Sequence, residues 1–152
     1  MEKKLNLEVD EPYYIRNIYY GYYLFVSEDR KGNPPDQIVE GKAGREIRSV
    51  FILKPSPIDG EYCLYNKHYG NFLFVSGDVL NGDNVIEAHS ALETRNYFSL
   101  HPAPGSKFYY RIFNESLYKW VFLSENFSGV DRILEAHDME NDRDIYEFIL
   151  TR

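Results

Sequence analysis

The 152-residue sequence predicts an all-β fold of twelve strands in three pseudo-repeats of about 48 residues. The first observation behind this is a phrase written three times: Asn17-Ile-Tyr-Tyr-Gly-Tyr-Tyr-Leu-Phe-Val-Ser27, Asn66-Lys-His-Tyr-Gly-Asn-Phe-Leu-Phe-Val-Ser76 and Asn114-Glu-Ser-Leu-Tyr-Lys-Trp-Val-Phe-Leu-Ser124. A fixed period of this size marks a repeat architecture. The second is that each copy is followed by the same two further phrases. Val39-Glu-Gly-Lys, Ile86-Glu-Ala-His and Leu134-Glu-Ala-His come first, then Val50-Phe-Ile-Leu, Tyr97-Phe-Ser-Leu and Glu147-Phe-Ile-Leu. The third is composition: 14 Tyr and 10 Phe favour pleated, half-buried surfaces over helices.

Each unit reads as four strands. The first is Tyr13–Asn17, Tyr62–Asn66 and Tyr110–Asn114, with Ile15, Leu64 and Ile112 in register and facing the core by alternation. The Asn starts a turn in which its side chain bonds nearby backbone. Gly21 and Gly70 supply a left-handed position there; the third unit has Tyr118, so a different turn is expected. The second strand puts Leu24/Val26, Leu73/Val75 and Val121/Leu123 on one face and Tyr23/Phe25, Phe72/Phe74 and Trp120/Phe122 on the other. Turn-rich loops lead to the third strand, where Val39/Gly41, Ile86/Ala88 and Leu134/Ala136 point inward and Glu40, Glu87 and Glu135 point out. A polar linker holding Arg48, Arg95 or Arg143 precedes the fourth strand, in which Phe51, Phe98 and Phe148 fall in register. Unit boundaries fall near 13–57, 61–104 and 108–152, after a polar lead-in, and the whole is one domain. No segment reads as a helix longer than a turn or two.

One unit cannot bury its apolar face alone, but three closed about an axis can, and closure removes the sheet edges. The pattern over roughly residues 13–150 resembles the β-trefoil superfamily, a six-stranded barrel capped by three hairpins. The module from Asn66 to Leu73 and the strand Ile86-Glu-Ala-His89 are most similar to fascin-type and insect haemolymph lipoprotein-type trefoils. The ricin-type branch carries Gln-x-Trp in its fourth strand. Here those positions read Ser49-Val-Phe51, Asn96-Tyr-Phe98 and Tyr146-Glu-Phe148, so a ricin-type sugar site does not carry over.

The formal charge of −7 without a Lys/Arg cluster argues against nucleic acid and against anionic membrane surfaces. No apolar run resembles an export signal or a membrane span. The single cysteine, Cys63, rules out an internal disulfide. A cytoplasmic protein is expected, a secreted mature form being the alternative, and a monomer or weak oligomer. Cys63 lies mid-strand and reads as a buried, inert thiol. No phosphate loop, nucleophile elbow or Cys-x-x-Cys occurs, so neither enzyme activity nor a cofactor is expected.

Two features invite a ligand. The six outer aromatics of the second strands are either covered or form an exposed patch for a partner. Glu87-x-His89 and Glu135-x-His137 have metal-ligand chemistry, but the first copy offers Lys42 instead. Surface ion pairs with Arg48, Arg95 and Arg143 are the plainer expectation, and no metal is expected. Function is then expected of a non-catalytic binding module, lectin-like, holding carbohydrate through loop acids and amides beside aromatics. The positions are Tyr22, Asp29, Asn71, Asp78, Lys119 and Asn126, equivalent from unit to unit. The alternative is a protein-interaction module using the 28–37 loop and an acidic surface, similar to the role of fascin-type and inhibitor-type trefoils. A carbohydrate site predicts one similar pocket per unit, each with an aromatic wall and an acid; a protein interface predicts one asymmetric patch around the 28–37 loop.

Overall fold

The structure is a computed structural model and describes residues 5–32 and 35–151. Asn33 and Pro34, in the loop proposed for protein contact, lie outside the described residues. Twelve strands occur: β1 Pro12–Asn17, β2 Tyr22–Lys31, β3 Asp36–Lys42, β4 Val50–Pro55, β5 Tyr62–Asn66, β6 Asn71–Leu80, β7 Asp83–His89, β8 Ser99–Pro102, β9 Tyr109–Asn114, β10 Lys119–Ser128, β11 Asp131–His137 and β12 Ile145–Leu150. All pairings are antiparallel. β1 pairs with β4, β4 with β5, β8 with β9, β9 with β12 and β12 with β1. Reciprocal backbone hydrogen bonds of 2.7 Å between Tyr62 and Phe98 join β5 to the β8 segment and close the ring of six. The hairpins β2–β3, β6–β7 and β10–β11 cap it, and β3, β7 and β11 pair cyclically with one another.

The inward alternation read from the sequence holds. Ile15, Leu64, Ile112, Leu24, Val26, Leu73, Val75, Val121 and Leu123 are all buried in one core cluster. Gly41, where β7 and β11 have Ala88 and Ala136, faces Leu123: a Cβ there would stand 2.8 Å from a Leu123 methyl. The larger Leu123 side chain thus occupies space that the other two units give to alanine.

Two details correct the sequence reading. The residue facing Asn17 across the sheet is Tyr146, as Phe51 faces Asn66. The third-unit match to Phe51 and Phe98 is therefore Tyr146, not Phe148. A slip of two residues preserves the inward face, so apolar pattern alone does not detect it. The position aligned with Ser49 and Asn96 becomes Asp144, and each of these three buried residues closes a short 3-10 turn by bonding back to the turn's first residue. The third-unit triplet is then Asp144-Ile-Tyr146, which also lacks Gln-x-Trp.

The second correction concerns Tyr118. It adopts φ 58°, the same left-handed conformation as Gly21 (72°) and Gly70 (70°), so the turn is the same in all three units. Its ring meets Phe113 edge-on at 5.0 Å. Only glycine takes this conformation without Cβ strain. Gly70→Ala is accordingly expected to cost about 1 kcal/mol in chemical denaturation, the left-handed strain outweighing the entropy gain in the unfolded chain.

The turn asparagines do more than start a turn. Asn17, Asn66 and Asn114 are buried. Each side-chain oxygen accepts the backbone N–H three residues on, from Tyr20, Tyr69 and Leu117, at 2.8–3.0 Å. Each side-chain amide donates to a carbonyl of the preceding 3-10 turn: Asn17 to Arg143, Asn66 to Arg48 and Asn114 to Arg95, at 2.8–3.2 Å. Three equivalent staples thus tie each unit to the one before it, around the ring.

Candidate binding clefts

Each hairpin carries a bulge where its register shifts: between Val26 and Arg30, Val75 and Val79, and Leu123 and Phe127. A serine heads every bulge. Ser27, Ser76 and Ser124 are buried, and each hydroxyl oxygen accepts the N–H two residues on, from Asp29, Asp78 and Asn126, at 3.1 Å. A bulge bends the strand and re-aims its side chains. Here it turns Asp29, Asp78 and Asn126 toward the glutamate on the facing strand.

Those glutamates are the main departure from expectation. Glu40, Glu87 and Glu135 point away from the barrel core, as alternation requires, but they are 1%, 1% and 0% exposed. They do not make surface ion pairs. Ser27 Oγ donates to Glu40 Oε2 at 2.8 Å, and Ser124 Oγ and Asn126 Nδ2 donate to Glu135 Oε2 at 2.6 and 2.8 Å. Burial raises Glu40 to about 8; its bond to Ser27 opposes the rise, and the bond and charge of Asp29 add to it. Burial also raises Glu87 to about 8, aided by its hydrogen bond to Asp78. In both cases burial favours the neutral form of the glutamate, which lies against a second acid. Asn126 replaces that acid in the third unit. Burial still raises Glu135, while the bonds from Ser124 and Asn126 pull it back.

The arginines that were to pair with these glutamates lie over phenyl rings instead. Arg48, Arg95 and Arg143 stand 4.9, 5.4 and 5.1 Å from the centroids of Phe25, Phe74 and Phe122. Arg48 and Arg95 also pair with Glu46 and Glu93. His89 stacks on Phe74 at 3.7 Å and His137 on Phe122 at 3.8 Å, while Lys42 sits over Phe25. The outer aromatics are therefore largely covered: Phe25, Phe74 and Phe122 are buried, and Tyr23, Phe72 and Trp120 are half-buried. They form no exposed six-membered patch. Among the described residues no group of three His, Cys, Asp or Glu is placed to hold a metal ion.

Two clefts open above the buried acids. The second-unit cleft has a volume of about 180 Å³ and is lined by Ser76, Asp78, Glu87 and Arg95, with Asp36 from the neighbouring hairpin. The third-unit cleft, about 210 Å³, is lined by Ser124, Asn126, Glu135 and Arg143, with Asn81 and Asp83 from its neighbour. Asp36 and Asp83 each open the third strand of the preceding hairpin. The matching residue for the first unit is Asp131, whose charge acts on Glu40. There Ser128 Oγ of the neighbouring hairpin donates to Asp29 Oδ2 at 2.8 Å, as Asn81 Nδ2 donates to Asn126 Oδ1 at 3.0 Å in the third unit.

Of the expected site residues, Asp78 and Asn126 line clefts, and Asp29 holds the equivalent place. Tyr22, Asn71 and Lys119, which begin the second strands, do not line them. Tyr22 packs at the edge of the core cluster, and Asn71 is buried with its amide donating to Gln37 Oε1 at 3.0 Å. Lys119 pairs with Asp138 at 2.6 Å. The sequence reading missed the buried glutamates and their serines. The signal was present: an acid flanked by apolar residues in every third strand, facing a serine that ends every copy of the first phrase. Cys63 is buried, and burial pushes its thiol up to about 11, as expected of an inert cysteine. Among the described residues no helix is long and apolar enough to cross a membrane.

No protein family's sequence profile and no curated protein sequence matches this chain. Solved structures do. A Caenorhabditis elegans protein of unknown function is similar with a TM-score of 0.84 at 12% identity, covering 99% of both chains. The BEL β-trefoil is similar with a TM-score of 0.72 at 12% identity, covering 97% of each chain. SeviL, solved bound to asialo-GM1 saccharide, is similar with a TM-score of 0.70 at 16% identity, covering 95% of this chain and all of that one. At such identities the likeness shows a fold and nothing finer. With six strands in a closed ring and three hairpins paired across one end, this chain has the β-trefoil fold.

Proposed function

We propose that this protein is a non-catalytic, lectin-like carbohydrate-binding module: one β-trefoil domain of three pseudo-repeats that holds sugar in the clefts above Glu87 and Glu135. The observation carrying this reading is that two clefts of similar size recur in equivalent places, each with a buried glutamate, a bulge residue and an arginine. Repetition of a pocket is what a carbohydrate site predicts and a single protein interface does not. The SeviL structure supports the reading by showing saccharide bound to the same fold.

Recognition rests on hydrogen bonding more than on stacking, because Phe74 and Phe122 are already covered by histidine and arginine. Asp78 and the acids of the neighbouring hairpin accept hydroxyl hydrogens; Arg95 and Arg143 donate to ring or hydroxyl oxygens, and Asn126 shapes the third cleft beside Glu135. Each site is small and polar, so single-site affinity is weak, and two sites on one rigid body gain by avidity on a multivalent glycan. A glycan array with purified protein tests this. The expected result is binding to a glycan class, reduced at least tenfold by Asp78→Ala or Asn126→Ala. An array without signal for any glycan overturns it.

A second reading has its own observation. Arg132 lies 3.8 Å from the Tyr20 ring centroid and 4.7 Å from that of Phe127, and beside them Tyr19, Phe127 and Val130 are exposed. This patch is asymmetric, occurring where the first and third units meet, and it suits a protein partner better than a sugar.

A further inference from the structure

The third cleft carries an amide, Asn126, where the second carries the acid Asp78. Glu87 faces a second acid, Asp78, whereas Glu135 faces the amide of Asn126. Both donors to Glu135 reach the same oxygen, Oε2, from Ser124 and Asn126. The other oxygen, Oε1, is buried without a hydrogen-bond partner, as is Oε2 of Glu87 in the second cleft. An unpartnered buried carboxylate oxygen is costly, more so than a neutral one. The rest of the lining deepens the shortage. Asp83 and Glu125 add two carboxylates, and Asn126 Oδ1 is already engaged by the Asn81 amide at 3.0 Å. Arg143 is the one cationic side chain in the lining, set against three acidic ones, Asp83, Glu125 and Glu135. A ligand that fits must bring donors and positive charge.

Among the described residues no group of three His, Cys, Asp or Glu is placed to hold a metal ion. An ammonium group meets the need: it carries three N–H donors and spreads them over separated acceptors. We propose that the third cleft selects a sugar bearing a free amine, a 2-amino-2-deoxyhexose, over its N-acetylated and neutral counterparts. This inference rests on the carbohydrate reading above and specifies which sugar class that reading takes. The ammonium lies over the Glu135 floor with Asp83 beside it, and the hydroxyls reach Asn126 and Arg143. N-acetylation removes the charge and two of the three donors, leaving the acidic lining uncompensated.

The test is titration of 15N-labelled full-length protein with glucosamine, N-acetylglucosamine, galactose and methylamine at matched ionic strength, following the side-chain amide signals of Asn126 and the backbone amides of Ser124–Asn126. The expected result is saturable shifts with glucosamine at least tenfold tighter than with N-acetylglucosamine or galactose. Asp83→Asn, at the half-exposed rim, should weaken glucosamine tenfold, and Glu135→Gln should abolish the preference. Equal binding of glucosamine and N-acetylglucosamine overturns the amine selection and leaves the carbohydrate reading standing. Methylamine binding as tightly as glucosamine keeps a cation site but removes the sugar. No saturable shift with any of the four overturns this inference, while a glycan-array signal elsewhere would still uphold the broader reading.

Discussion

Asn66→Ala is expected to destabilise the protein by about 4 kcal/mol. The side chain is fully buried and satisfies two backbone groups, the Tyr69 N–H and the Arg48 carbonyl, each at 2.9 Å. Deleting it leaves both without partners inside the protein, at about 1–3 kcal/mol each, and adds a small cavity. For a chain of this length that lowers the thermal midpoint by roughly 10 °C. The neighbouring Lys67 is exposed, and Lys67→Ala is expected to stay within about 0.5 kcal/mol. Because the bond to Arg48 crosses from the second unit to the first, the loss weakens the closure of the ring as well as one turn. A change below about 1 kcal/mol in urea unfolding would show that the staple carries no such weight.

Glu87→Gln is expected to flatten the fall in stability at high pH. An acid whose folded value is raised contributes stability that is complete below its unfolded value, near 4.5, and is lost as pH rises through its folded value, about 8. The same holds for Glu40. Three and a half pH units at 1.36 kcal/mol per unit set a ceiling of about 5 kcal/mol for one group. Entry of water beside the ionised pair brings the expected loss to a few kcal/mol between pH 5 and pH 9. Glutamine resembles the protonated acid: its amide donates to Asp78 as the acid proton does. The variant should match the parent at pH 5 and exceed it by about 2 kcal/mol at pH 9, and Glu40→Gln should add a similar gain. Parallel stability curves for parent and variant from pH 5 to pH 9 would refute the upward shift of Glu87. Asp78→Asn would rebuild in the second unit the Asn126–Glu135 arrangement of the third.

The fold was legible because its information is periodic. Three copies of an Asn-turn-strand phrase and strict alternation in β2, β6 and β10 leave few ways to bury Leu24, Leu73 and Val121 except by closing on one core. What was illegible follows from the same periodicity. Alternation tells in from out, but not whether the outer face is covered, so Glu40, Glu87 and Glu135 looked solvated when they lie under the bulges. Period two equally cannot detect a two-residue slip, which is how Phe148 took the place of Tyr146. Tyr118 misled because residue type suggested a different turn, whereas the Asn114 staple and the Phe113 contact hold the same backbone. The site was half visible: Asp78 and Asn126 could be picked as repeated loop polar residues. Arg95 and Arg143 had been assigned to ion pairs, and the neighbour's contributions, Asp36 and Asp83, depend on which hairpin packs beside which.

The measurement that bears most directly on the central claim is an amide chemical-shift map of the full-length protein titrated with a panel of neutral and amino monosaccharides. Saturable shifts confined to Ser76–Asp78 and Ser124–Asn126, with Arg95 and Arg143 side-chain signals moving alongside, are the predicted result. Shifts that fall instead on the 410 Å³ hollow lined by Tyr13, Phe108 and Glu147, or no saturable shift with any sugar, would contradict it.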